Sequence, residues 1–236
     1  MTKSLTRTTL LGAAAALLLS GFAQSASAED AEIRIVNLTR GQVFSPVIAW
    51  SHNNQFEPFF EFGAPASEEV RAVAEDGNAG PLEAFLAGAP NVGTVAITDG
   101  PIPPGGEAVI TVDIGSGNRA ISLASMLVNT NDAFFALNGA EIRRRVEVFF
   151  QPALDAGTED NNEDCAFIPG PACAVVIDET SEGGEAGNIN SDDDGEGFIF
   201  VQEGIHGVNG GVATSDLDPS QQDWRNPVAY IVVTRK

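Results

Sequence analysis

The stretch "LASMLVNTNDAFFALNG", Leu123 to Gly139, reads as a buried apolar strand that runs into four consecutive oxygen-bearing side chains, Asn129, Thr130, Asn131 and Asp132, and out onto aromatics. A turn needs one or two such residues to bend the chain. Four in a row equally suit part of a cation site, so the stretch by itself leaves a turn and a ligand cluster both open.

The segments around it repeat the strand pattern. "EIRIVNLT" (32–39) alternates polar and apolar residues, and "VFSPVIAWSH" (43–52) follows, with Pro46 predicting an edge position or a bulge. Further strands are predicted in "NVGTVAITDG", "GGEAVITVDI", "AISLASMLVNT", "EIRRRVEVFF" and, last, "PVAYIVVTRK" (227–236), divided by Gly and Pro turns. Strands at this density predict an all-β fold, an antiparallel β-sandwich. Two short helices are expected. One is capped by Ser67, carries Val70, Val73 and Ala74 on one face and stops at Gly77; the other starts at Pro81 and buries Leu82, Phe85 and Leu86. Both are too short to form a core and are read as caps over one end of a sheet. Between about 156 and 197 the composition turns to Asp, Glu, Asn and Gly, which predicts an acidic loop insertion.

The first residues read as an export signal. Lys3 and Arg7 precede the apolar run "LLGAAAALLLSGF", and Ala26-Ser27-Ala28 forms a small-residue cleavage site, so residues 1–28 are expected to be removed. The apolar run falls short of the roughly 18 residues that span a bilayer, so no membrane span is expected. Residues 29–236 are read as one domain, in a periplasmic or extracellular setting. They keep ten basic against all 33 acidic residues of the chain, a formal charge of −23. Such a charge repels nucleic acid and attracts cations, although it also serves solubility alone. The two cysteines, Cys165 and Cys173, are expected to form a disulfide in an oxidising compartment.

Several pieces together resemble a known family. "FSPVIAWSHNNQFEPFFEFGAPASEEVRAVAEDGNAGPLEAFL", "SMLVNTNDAFFALNG", "LDAGTE" and "DWRNPVAYIVV" are similar, in this order, to landmarks of the spondin domain found in F-spondin, mindin and bacterial exported proteins. The resemblance spans about residues 31–235. It implies a sandwich similar to a C2 domain that binds one calcium ion, with ligands falling on Asp113, Asp132 and Asp155. It also implies a role in interaction or adhesion with an extracellular or cell-surface protein or glycan. Spacing alone does not bring these three aspartates together, because a hairpin puts Asp113 and Asp132 at opposite ends unless the connection shifts the register.

Other motifs are weaker. In "NINSDDDGEGFIF", Asn190, Asp192, Asp194 and Gly195 occupy the first, third, fifth and sixth positions of an EF-hand loop, yet Val201 stands where the bidentate glutamate belongs. It is read as a solvated acidic loop. No G-x-S-x-G nucleophile elbow occurs, His52 is read as structural, and Arg143 to Arg145 as strand residues paired with nearby acids. The expectation is a non-enzymatic protein, with a carboxylate-based periplasmic hydrolase as the alternative.

Overall fold

The computed structural model describes residues 29–173, 195–207 and 215–236. The export segment 1–28 and most of the EF-hand-like stretch lie outside the described residues. In chain order the elements are β1 (Asp30–Asn37), β2 (Ile48–His52), α1 (Glu68–Asp76), α2 (Gly80–Gly88), β3 (Val92–Ile97), β4 (Glu107–Asp113), β5 (Ala120–Met126), β6 (Ala133–Glu141), β7 (Val146–Gln151), β8 (Leu154–Asp155), β9 (Phe200–Val201), α3 (Pro219–Gln222) and β10 (Ala229–Arg235).

The strands form two antiparallel sheets, one ordered β4-β1-β10-β7 and the other β3-β2-β5-β6-β8-β9. The alternation of β1 sends Ala31, Ile33 and Ile35 inward. There they meet Ile110 and Val112 of β4 and Ile231 and Val233 of β10, opposite Leu123, Phe135 and Leu137 of the second sheet. β1 is held on both sides, by β10 from Ala31↔Arg235 to Asn37↔Ala229 and by β4 from Asp30↔Asp113 to Val36↔Glu107. The all-β sandwich predicted from the strand pattern is the observed architecture.

The helices do something other than cap an end. Ile48, Trp50, Ala124, Phe134 and Leu154, on the outer face of the six-stranded sheet, pack against Val70, Val73 and Ala74 of α1 and Leu82 and Leu86 of α2. A second apolar layer results, and β5 is buried at all seven positions because both of its faces are covered. Local signals place α1 as expected: the Ser67 hydroxyl accepts from the Val70 N–H at 3.3 Å, and Gly77 ends the helix at φ 60°. A side chain at Gly77 is doubly excluded, by that φ and by Ser45 Cβ, 2.7 Å from where its own Cβ would sit.

Three local expectations are corrected. Pro46 precedes β2 instead of lying within it, and β2 is an interior strand between β3 and β5; its one irregularity falls between Trp50 and His52. Phe85 faces solvent, 52% exposed, because α2 turns only its Leu82–Leu86 edge to the sheet. Arg143 to Arg145 lie in the turn between β6 and β7, with Arg143 paired to Glu141 at 2.6 Å. Among the described residues, no helix is long and apolar enough to cross a membrane.

The helical layer makes a direct test. Leu86→Ala should cost about 2–4 kcal/mol of stability, as large-to-small changes at buried sites do, whereas Phe85→Ala should stay within about 1 kcal/mol. Urea denaturation of both variants checks this.

Candidate metal centre

The polar run after β5 is a turn whose members take separate tasks. Thr130 closes it, its hydroxyl donating to the Leu127 carbonyl (2.6 Å) and accepting from the Ala133 N–H (3.0 Å). Asn129 accepts from Ala172 N–H (2.9 Å) and donates to the Gly41 carbonyl (2.9 Å). Asn131 accepts from Glu163 N–H (3.2 Å) and donates to Asn162 Oδ1 (3.1 Å). The two asparagines thus fasten the start of the acidic loop to the turn. Gly170 packs so closely there that a Cβ would come within 2.1 Å of the Val128 carbonyl oxygen. The disulfide between Cys165 and Cys173 closes this part of the loop, with Cα atoms 5.1 Å apart, and forms a small apolar cluster with Ile168 and Leu217.

Asp132 enters the interior. Its neighbour Ala133 pairs with Asp155 across β6 and β8, and the Ala156 N–H donates to the Asp132 carbonyl at 3.3 Å. Both aspartate side chains are fully buried. Asp132 Oδ2 accepts from Thr158 N–H (2.8 Å), Thr158 Oγ1 (3.2 Å) and Glu159 N–H (3.2 Å). Its other oxygen, Oδ1, is buried and has no hydrogen-bond partner among the described residues. Asp155 Oδ1 accepts from Gly157 N–H (2.7 Å), and Oδ2 from Asn161 Nδ2 (2.7 Å) and Gln202 Nε2 (3.0 Å).

The charges acting on this pair are negative. Burial pushes the Asp155 carboxyl up to about 8, helped by the charge of Asp132, while Asn161 pulls against it. Burial likewise raises Asp132, to about 6, against the hydrogen bonds from Thr158 and Glu159. Glu196 raises both. Glu75 of α1, buried and bonded to Arg71 at 2.8 Å, also rises through burial; its hydrogen bond with Thr158 ties α1 to the loop that caps Asp132.

Asp113 is not brought to the pair. Its carbonyl accepts from Ser51 Oγ at 2.6 Å, and Ser51 lies opposite Ile121 at the start of β5, whereas Asp132 follows the other end of that strand. The length of β5 therefore separates the two, roughly 20 Å at a strand's rise per residue. The Asp113 carboxylate instead closes a local turn by accepting from Gly115 N–H at 2.7 Å. The expected hairpin between β4 and β5 does not form: β4 is an edge of the four-stranded sheet and β5 lies inside the six-stranded one, and the crossing between sheets leaves Asp113 at the far end of β5. Among the described residues, no group of three or more His, Cys, Asp or Glu side chains is set to hold a metal ion as placed. His52 is structural: the Asn53 carbonyl accepts from Nδ1 (2.9 Å), leaving Nε2 to accept from the Ser122 hydroxyl (2.9 Å), and burial lowers its pKa.

The Spondin_N family model matches residues 37–161, more than half of the chain. The chain belongs to the spondin N-terminal domain family. Among curated proteins no relative matches it. The spondin match contains Asp132, Asp155 and Asn161 but ends before Glu196 and Gln202, which reach the site through the pairing of β9 with β8. Gln202 belongs to no motif and Glu196 falls within the EF-hand-like stretch read as a solvated acidic loop; only the pairing of β9 with β8 brings them to Asp155. Glu163, also unmarked in the sequence, is buried and accepts from His206 N–H, from Gly207 N–H (2.9 Å) and from the Ser215 hydroxyl, which ties the later loops of the spondin fold together.

Two outcomes follow for the spondin chain in chelator. Carboxyls held above their ordinary values keep protons in the folded state that the unfolded chain releases above about 4, so stability should fall as pH rises from about 5 to 8. Asp132→Asn keeps an oxygen for the Thr158 and Glu159 donors and removes a buried charge, so it should flatten this slope and gain about 1–2 kcal/mol at pH 8; denaturant melts at the two pH values decide it. Reduction of Cys165–Cys173 should cost about 2 kcal/mol and leave the far-UV dichroism of the sheets unchanged.

Proposed function

We propose that this spondin-domain protein is exported through cleavage of residues 1–28, binds calcium through Asp132 and Asp155, and acts outside the cytoplasm as a non-enzymatic interaction or adhesion module. The observation that carries the reading is the buried carboxylate pair in which Asp132 Oδ1 has no partner and every neighbouring charge that bears on it is negative. A buried anion without a counter-charge is costly, and a divalent cation relieves that cost. The donors at the pair are hard carboxylate oxygens, which suit calcium's flexible coordination better than magnesium's tight octahedron. The disulfide and the family are of the extracellular type and support export.

Raised, adjoining carboxyls are also what an acid–base hydrolase uses. Here both are fully buried, a setting that suits a small ion better than a substrate and supports the binding reading. A partner surface is offered elsewhere, in a groove of about 1150 Å³ lined by Phe56, Phe60, Phe62, Arg119, Asn138 and Glu141, with Phe62 63% exposed. An extracellular protein or glycan is the partner this mixture of aromatic faces and polar groups suits.

Calcium added to the chelator-treated mature chain should raise its melting temperature, by about 2.7 kcal/mol of stability at a free concentration a hundredfold above Kd. Asp132→Asn should lose most of that gain. A calorimetric titration without heat, or an unchanged melt, would sink the reading; hydrolysis of a substrate panel that vanishes in Asp155→Asn would overturn the non-enzymatic part.

A further inference from the structure

Residues 195–202 lie beyond the span matched by the family, yet they are fastened to the Asp155 loop. The Gly197 N–H donates to the Gly157 carbonyl at 2.8 Å, and Phe200 pairs with Asp155. Gly195 sits so close over residues 157–159 that a Cβ would come within 2.4 Å of Gly157 O. This docking delivers the intervening Glu196 to the carboxylate pair. One amide group joins them: Asn161 Nδ2 donates to Asp155 Oδ2 at 2.7 Å and to Glu196 Oε1 at 3.2 Å. Gln202 Nε2 holds Asn161 in place through its Oδ1 at 2.8 Å while also donating to Asp155.

A second feature is independent of these bonds. Asp132 Oδ1 is fully buried and unpartnered, on the side of its carboxyl away from the Thr158 and Glu159 donors. Two carboxylates only balance a divalent cation, and affinity in oxygen sites rises with the number of charged ligands.

We infer that Glu196 is the third carboxylate of this chain's cation site, presented by the segment 195–202 and positioned through Asn161 and Gln202. The inference rests on the calcium reading above. Glu196 is exposed and its charge bears on both Asp132 and Asp155, so in this inference its carboxylate turns from Asn161 to the ion. It fills the role that the sequence resemblance placed on Asp113, which lies at the far end of β5.

The test is calorimetric titration of calcium chloride into the full mature chain, after chelator treatment, for the wild type, Glu196→Gln, Asp113→Asn and Asp132→Asn. Glu196→Gln should weaken calcium at least tenfold with a melting temperature in chelator no lower than that of the wild type, since its side chain is exposed and its charge repels the buried pair, and Asp113→Asn should bind as the wild type does. If Asp132→Asn abolishes binding while Glu196→Gln binds normally, the third-ligand inference fails and the calcium reading stands. If Asp113→Asn weakens binding and Glu196→Gln does not, Glu196 is likewise overturned. If the wild type binds no calcium, both fail together.

Discussion

The pairing of β5 with β6, with Met126 opposite Phe134 and Ala120 opposite Glu141, is the contact on which the other parts of the molecule depend. It sets β5 at the centre of the six-stranded sheet, where one face closes the sandwich core and the other carries the helices. It also fixes where the chain must turn. The turn after β5 brings Asp132 to the start of β6, and β8 then lays Asp155 beside it. Because strand side chains alternate between faces, a one-residue slip in this pairing would turn Phe135 and Leu137 out of the sandwich core toward the helices and carry Asp132 out of its site.

That turn concentrates opposite demands. Asn129, Thr130 and Asn131 spend their hydrogen bonds on the backbone and on the acidic loop, so the chain bends with few unsatisfied groups. Asp132 leaves one oxygen unsatisfied in the interior. The disulfide loop and Gly170 pack against the same turn, through Ala172 and Asn129. The proposed cation converts the cost into a reason for loops far apart in sequence to stay together: residues 155–161 and 195–202 meet around it.

The helical layer and the site share a boundary. α1 buries Val70, Val73 and Ala74 on the sheet, and through Glu75 it reaches Thr158, whose backbone and hydroxyl both serve Asp132. Helix packing and carboxylate placement are therefore coupled, although the residues concerned are some eighty positions apart.

The residues by themselves determined what depends on local pattern. Alternation in β1 and β10, the Ser67 and Gly77 signals of α1 and the cysteine pair are all legible because each rests on neighbours in sequence. Asp132 and Asp155 were legible as well, through family motifs rather than through spacing. Tertiary structure alone decided which carboxylates meet. Asp113 precedes β5 and Asp132 follows it, and an extended strand of seven residues keeps its two ends apart whatever their chemistry. Gln202 sits in no recognisable motif and Glu196 in a stretch whose EF-hand pattern fails at Val201; both arrive because β9 pairs with β8. Phe85 reads as core in the sequence, yet α2 exposes it, because only the packing of a helix on a sheet face selects which of its apolar positions is covered.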